Sequence, residues 1–302
     1  ILLIIMKLLF DTLTKLNLVF FKNNKKLYIV NIFQTIFIFL EFFIIVIFLF
    51  FDGKILTISL ISAATYLVSF LLSFILAKKY FKYFQFNLTS FKISYLKKLA
   101  FPSLSFSMPI LHRTLIFQGS IILIGILYNE MILVFFNLLR LFFSGVKYIL
   151  AVVSNVYETN ITILLGKKDL SGIKENYIKY LRIIILLSFL GLSSMLLFGK
   201  FLFLFWSKNI DIWNQLFYIL FLFAFFIEWL LTVTQTLPYA LNKPYYFNKI
   251  YLTNILFYYL LFFVLNIYFD FYSIPVSYLI CNIIFLILAG IKIKKLIFNV
   301  KN

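Results

Sequence analysis

The chain has 302 residues and a formal net charge of +18, yet only 13% of it is charged and 64% is hydrophobic. With a mean hydropathy of +1.05, it has too little polar surface to cover a soluble globule of that size, so bilayer is the solvent. The cationic excess then reads as the flanks of membrane helices, not as a nucleic-acid surface. One cysteine, Cys281, and one histidine, His112, exclude an internal disulfide, a thiolate cluster and a His-based metal centre, and no cofactor is expected.

The first ten residues, Ile1 to Phe10, are apolar but too short to span, and no basic residues precede them. They read as the tail of a helix in a chain truncated at its N-terminus. Eight apolar segments long enough to cross a bilayer follow, near 27–51, 55–77, 101–128, 131–156, 180–206, 215–239, 250–269 and 273–291. The fold class is thus an all-α integral membrane protein of about eight transmembrane helices.

The connectors set the orientation. Alternate ones carry Lys7, Lys15, Lys22, Lys25 and Lys26; Lys78, Lys79, Lys82, Lys92, Lys97 and Lys98; Lys167, Lys168, Lys174, Lys179 and Arg182; Lys243 and Lys249; and Lys292, Lys294, Lys295 and Lys301. The intervening ones hold only Lys54, Lys200 and Lys208. The positive-inside rule places the first set, and both ends of the chain, in the cytoplasm. The opposite connectors are short, which leaves no room for an external domain. The basic stretch 78–98 contains an amphipathic segment, with Ile93, Leu96 and Leu99 opposing Lys92, Lys97 and Lys98, that should lie along the headgroups. It divides the chain into a two-helix remnant over 1–77 and a six-helix unit over 99–302.

Within the fourth span, Asn137, Arg140, Ser144, Lys147, Ser154 and Glu158 fall in about a 100° sector of one helix face. Arg113, with Gln118 five residues on, lies in the third span, so two of the three arginines are inside the membrane. A cation at a helix centre costs about 2.5–3.5 kcal/mol on insertion scales and therefore faces protein or a wet cavity. Arg113, Arg140 and Lys147, with Gln118, Asn137 and Ser144, are the expected wall of a cavity for an anion, above all a phosphate or diphosphate. The bland alternative is pairing with intramembrane acids: Glu41, Glu158 and Glu228. A second polar face, Glu228, Thr232, Gln235, Tyr239 and Asn242, and a third, Asn31, Gln34 and Glu41, read as polar glue between helices or as cavity lining. Pro102, Pro109, Gly119, Gly125, Pro238 and Pro244 mark places where helices could bend.

Leu104 to Pro109, then Thr114 to Gly119 and Ile124–Gly125, resemble the seventh helix of polysaccharide flippases of the multidrug/oligosaccharidyl-lipid/polysaccharide superfamily. Leu138–Leu139–Arg140–Leu141 is similar to the eighth helix of that family, and Tyr157–Glu158 followed by Gly166–Lys167–Lys168–Asp169 resembles the loop after it, with Tyr157 where the family frequently has Pro. The resemblance covers most of 20–210. It implies that the eight spans are helices five to twelve of a two-lobed, twelve-helix transporter, with residues 1–22 holding the end of the fourth.

The resemblance further implies a flippase that moves a polyprenyl-diphosphate-linked oligosaccharide, an O-antigen or capsule repeat unit, across the inner (cytoplasmic) membrane by alternating access. The headgroup would sit between the lobes and the tail in lipid. Such a protein works without covalent chemistry, so it is not expected to be an enzyme. Its expected partners are the lipid-linked oligosaccharide, membrane lipids and other polysaccharide-assembly membrane proteins. Two rivals are a multidrug or cation antiporter of the same superfamily, which would need an acidic pocket, and a membrane-embedded polymerase or glycosyltransferase, which would need carboxylates near a large outer loop.

Overall fold

The computed structural model describes residues 2–24, 26–50, 55–81, 93–207 and 213–298. Among them the protein is all helical: α1 (Leu2–Asn23), α2 (Leu27–Phe50), α3 (Ile55–Tyr80), α4 (Ile93–Leu127), α5 (Glu130–Gly166), α6 (Leu170–Trp206), α7 (Gln215–Ala240), α8 (Asn248–Phe269) and α9 (Ser273–Phe298), with two short 3-10 turns before and after α8. Seven stretches are long and apolar enough to cross a membrane, and the last of them, Pro244–Leu296, holds both α8 and α9. The outward faces fit that solvent. Leu197, Phe205 and Ile267 are more than three-quarters exposed, which would be costly in water but is neutral in lipid tails.

The chain divides into two compact units, residues 1–92 and 93–302. In the first, α1 packs along α3 over a small core of Leu18, Phe21, Val30, Phe33 and Ala77. Asn17 donates to Ser73 at 2.9 Å across that contact. Here α1 corrects the sequence reading: the N-terminal segment is a continuous helix of 22 residues. Lys7 does not flank a span. It pairs with Glu41 of α2 at 2.6 Å and lies over the Tyr66 ring, while Lys15 pairs with Asp11 one turn back on α1. The apolar run is broken by charges that are neutralised inside the unit.

The second unit is built around α7, the helix with the largest buried share, which contacts α5, α6 and α9. Its inward residues Phe217, Phe221, Phe225 and Trp229 are fully buried and recur at i, i+4, i+8 and i+12. The three phenylalanines pack at a tilt against Phe135, Phe136 and Phe143 of α5, so one aromatic column fixes the α5–α7 seam. Three helix starts are capped by side chains. Asn129 accepts from Ile132 N, Asp169 from Gly172 N and Asn214 from Phe217 N, each at 2.9 Å.

Two expectations are revised here. Residues 93–98, read as a separate headgroup-level segment, form the first turns of α4, and Pro102 and Pro109 lie inside that helix. The middle of the expected linker, residues 82–92, lies outside the described residues. In addition, α5 and α6 have 37 residues each, about 55 Å at 1.5 Å per residue, against a hydrocarbon core of roughly 30 Å. They meet at the turn Lys167–Asp169, with Lys168 at φ 57°, so both overhang the core on the lysine-rich side.

Candidate functional site

Four helices of the second unit bring polar groups together at mid-bundle. α4 contributes His112 and Arg113, α5 contributes Arg140, Ser144 and Lys147, α7 contributes Glu228 and Gln235, and α9 contributes Tyr278 and Asn282. At the centre is Glu228, whose side chain is 9% exposed. Its Oε1 accepts from Lys147 Nζ and lies 3.4 Å from Arg113 Nε, while its Oε2 accepts from the Tyr278 hydroxyl at 2.7 Å. Arg113 Nη2 also donates to Ser144 Oγ at 3.0 Å, and Ser144 in turn donates to the Arg140 carbonyl one turn back on α5.

Arg140 stands apart from this network. Among the described residues its Nε is buried without a hydrogen-bond partner, and the charged side chain acting on it is another cation, Arg113. The two guanidiniums share one aromatic ring, lying 5.6 and 5.8 Å from the Phe117 centroid. The cluster thus holds three cations against the single carboxylate of Glu228, a formal surplus of positive charge. Donors are in surplus too: two guanidiniums and an ammonium offer far more N–H groups than one carboxylate can accept.

Beside the cluster is a cavity of about 380 Å³ whose lining includes Arg113, Thr114, Lys147, Glu228, Gln235, Tyr278 and Asn282. His112 also lines it, but its Nε2 is 2.7 Å from Asn254 Oδ1, and Asn254 donates to the Cys281 carbonyl at 2.9 Å. That chain makes His112 Nε2 the protonated nitrogen and locks the ring against Tyr251 and Phe285.

Against families, characterised proteins and solved structures, the chain shows no match.

The expected residues are therefore distributed as follows. Arg113, Lys147, Glu228 and Gln235 line the cavity; Ser144, bonded to Arg113, and Arg140, which shares the Phe117 ring with Arg113, adjoin it but are not part of the lining. Gln118 is exposed on α4 and Asn137 is half-buried on α5, and neither lines the cavity. Glu41 belongs to the first unit, with Lys7 and Ser62. Glu158 lies about three turns beyond Lys147 on α5 and does not line the cavity. The stripe on α5 is not one continuous wall. Its lower part is tied into the helix packing, since Ser154 bonds to Tyr180 of α6 at 2.7 Å and Tyr180 bonds to Thr236 of α7 at 2.8 Å.

The cavity also lies wholly within the second unit. Of the second polar face, Tyr239 bonds to the Phe106 carbonyl at 3.1 Å and Asn242 turns the chain after α7 with φ 56°. Sequence reasoning missed Tyr278 and Asn282. They are one turn apart on α9, and that i, i+4 pair in an apolar helix was the available signal.

Proposed function

We propose that this chain is part of a flippase that carries the anionic headgroup of a lipid-linked oligosaccharide across the membrane. The observation behind the proposal is the charge ledger of the cluster beside the cavity: Glu228 balances one of three cations, and Arg140, which is not part of the lining but shares the Phe117 ring with Arg113, has a buried donor with no acceptor among the described residues. An orphaned guanidinium in the bilayer core is stable only if something anionic or wet completes it. A diphosphate is suited to that role because Arg matches phosphate oxygens with a planar, bidentate fork. Glu228 holds Arg113 and Lys147 in place when no headgroup is bound, and the incoming phosphate takes up the remaining donors.

The resemblance of α4 and α5 to polysaccharide flippases narrows the cargo to a polyprenyl-diphosphate-linked glycan, and the short connectors opposite the lysine-rich side agree with a transporter that holds its cargo within the bilayer. With the lysine-rich side in the cytoplasm of a bacterial inner membrane, an outward-moving anion is favoured by an inside-negative potential, by about 2.3 kcal/mol per charge per 100 mV. Cation export by the same superfamily fits less well, because the carboxylate at this cavity is already covered by two cations.

Deletion of the gene in its source bacterium should trap lipid-linked glycan on the inner leaflet. Restoring Arg140→Ala should leave it trapped although the protein is inserted, and Arg140→Lys should restore part of the export. Normal export by Arg140→Ala would overturn the assignment.

A further inference from the structure

In the first unit a polar seam runs between α1 and α2. Its deep end is the ion pair of Lys7 with Glu41 at 2.6 Å, and Ser62 donates to the same carboxylate. From there Asp11 and Lys15 follow on α1, and Gln34 and Asn31 follow on α2, so that each stripe turns through about 80° of its helix. At the other end Lys26 N donates to the Phe21 carbonyl at 2.9 Å, where one helix passes into the next. Contacts at both ends make the helices antiparallel. Seen from the connection, the α1 stripe then winds counter-clockwise and the α2 stripe clockwise, so from the Lys7–Glu41 contact both open toward the same side of the seam.

Exposure rises along the seam in step. The Glu41 side chain is 13% exposed, Asp11 28% and Lys15 60%, while Gln34 is half-buried and Asn31 exposed. There is room for this, because α1 and α2 touch each other less than either touches α3. Depth makes the arrangement costly in lipid. The apolar span of α2, Tyr28–Phe48, has 21 residues, about 31 Å at 1.5 Å per residue, which matches a hydrocarbon core of roughly 30 Å. Gln34 is then about 9 Å inside it and Glu41 is past the middle. Lys15 could snorkel to the headgroups, but the shorter Asp11 side chain, one turn deeper, could not.

We infer that this seam is a water-filled half-channel, open at the α1–α2 connection and closed at the Lys7–Glu41 pair. Water and small ions reach through it to an ion pair beyond the middle of the bilayer. With two cations and two carboxylates on its walls, it selects neither sign of charge. Polar glue between helices would bury these groups against one another, whereas here they grow more exposed toward the mouth. The half-channel lies within the first unit and does not rest on the flippase reading.

Cysteine accessibility in the full chain, with the buried Cys281 replaced by Ser, tests this. Ile38 is on the stripe side of α2, nearly level with Asp11, whereas Ile36 and Phe39 stand at similar depth on other sides; all three are more than half exposed. A charged, membrane-impermeant methanethiosulfonate is given access to both faces of the membrane. Ile38→Cys should react about tenfold faster than Ile36→Cys or Phe39→Cys, the loss of thiolate that goes with a one-unit rise of a thiol pKa in hydrocarbon. Should Ile38→Cys not insert, Gln34→Cys is compared with the same two controls. Equal rates at the compared positions, whether all slow as in a dry seam or all fast as in a segment outside the bilayer, would overturn the proposal.

Discussion

Glu228 shows how one residue can hold a site together in a solvent that tolerates no loose charge. It satisfies an ammonium, a guanidinium and a phenol, so replacing it by Gln leaves two cations facing one another. Removing one partner of a buried pair costs about 3–5 kcal/mol, and because Lys147 and Arg113 are partly open at 22% and 34%, the lower end applies. Glu228→Gln should therefore lower the melting temperature of the detergent-purified protein clearly, and adding Lys147→Met should recover part of the loss, a non-additivity that two unlinked sites would not show. A Glu228→Gln protein that melts with the wild type would mean the pair contributes nothing. Tyr278→Phe removes one bond to a charged acceptor, about 1.5–3 kcal/mol, and is expected to lie between the two. The sequence offered Glu228 as one of three acids that could pair with these cations, and the pairing with Arg113 and Lys147 follows that alternative. Helical spacing put Arg140, Ser144 and Lys147 on one face but could not say which of the three carboxylates would meet it.

At the scale of the helix, two glycines do a job that the sequence assigned to hinges or passed over. The Tyr259 hydroxyl of α8 donates to the Leu115 carbonyl at 2.6 Å, and Tyr218 of α7 donates to the Met195 carbonyl at 2.8 Å. In each case the residue four further on is glycine, and a Cβ on Gly119 or Gly199 would come within 1.7 Å of that tyrosine oxygen. Gly119→Ala and Gly199→Ala should each push the tyrosine off its carbonyl, losing about 1 kcal/mol, and the cost should shrink when Tyr259→Phe or Tyr218→Phe is already present, leaving only the shift that the ring carbon 2.8 Å from the new Cβ demands. Thermal unfolding of each double-mutant set measures it.

The α5–α6 turn carries a different device. Bonds from Gly172 N–H and Ser171, with Lys167 nearby, hold the Asp169 carboxyl below the usual carboxylate range. A depressed folded pKa means that the cap is intact above the ordinary carboxylate pKa and is lost as pH falls through the depressed value. Amide exchange in the first turn of α6 should speed up over that acidic window, and Asp169→Asn should flatten the response. Hydropathy located the apolar middle of α5 and α6 well but stopped short of their ends. The overhangs are polar, and they stay helical through caps and i, i+4 pairs such as Glu175–Lys179, to which an apolar window is blind. For α1 the same window failed in reverse, because Lys7, Asp11 and Lys15 break the run while Glu41 on the next helix neutralises Lys7.

Across the whole molecule, basic residues are sorted to particular helix ends. With Lys7 and Lys15 assigned to α1, the remaining basic residues still crowd one set of helix ends: the start of α4, the α5–α6 turn, the α7–α8 connection and the end of α9. The opposite ends are joined by turns as short as Tyr128–Asn129 and Asp270–Tyr272, so among its described residues the second unit has a cationic set of helix ends and a nearly neutral one. Translocation of a lysine-dense overhang is opposed by its charge, so the cationic side is expected in the cytoplasm. Cysteine labelling decides this directly, since the native Cys281 is buried and Cys281→Ser removes its background. In that background Asn129→Cys should react with a membrane-impermeant maleimide on intact cells. Lys168→Cys, on the exposed α5–α6 turn, should react only after the membrane is opened. The reverse pattern would turn the molecule over, and with it the direction in which a headgroup bound at Arg140 would travel.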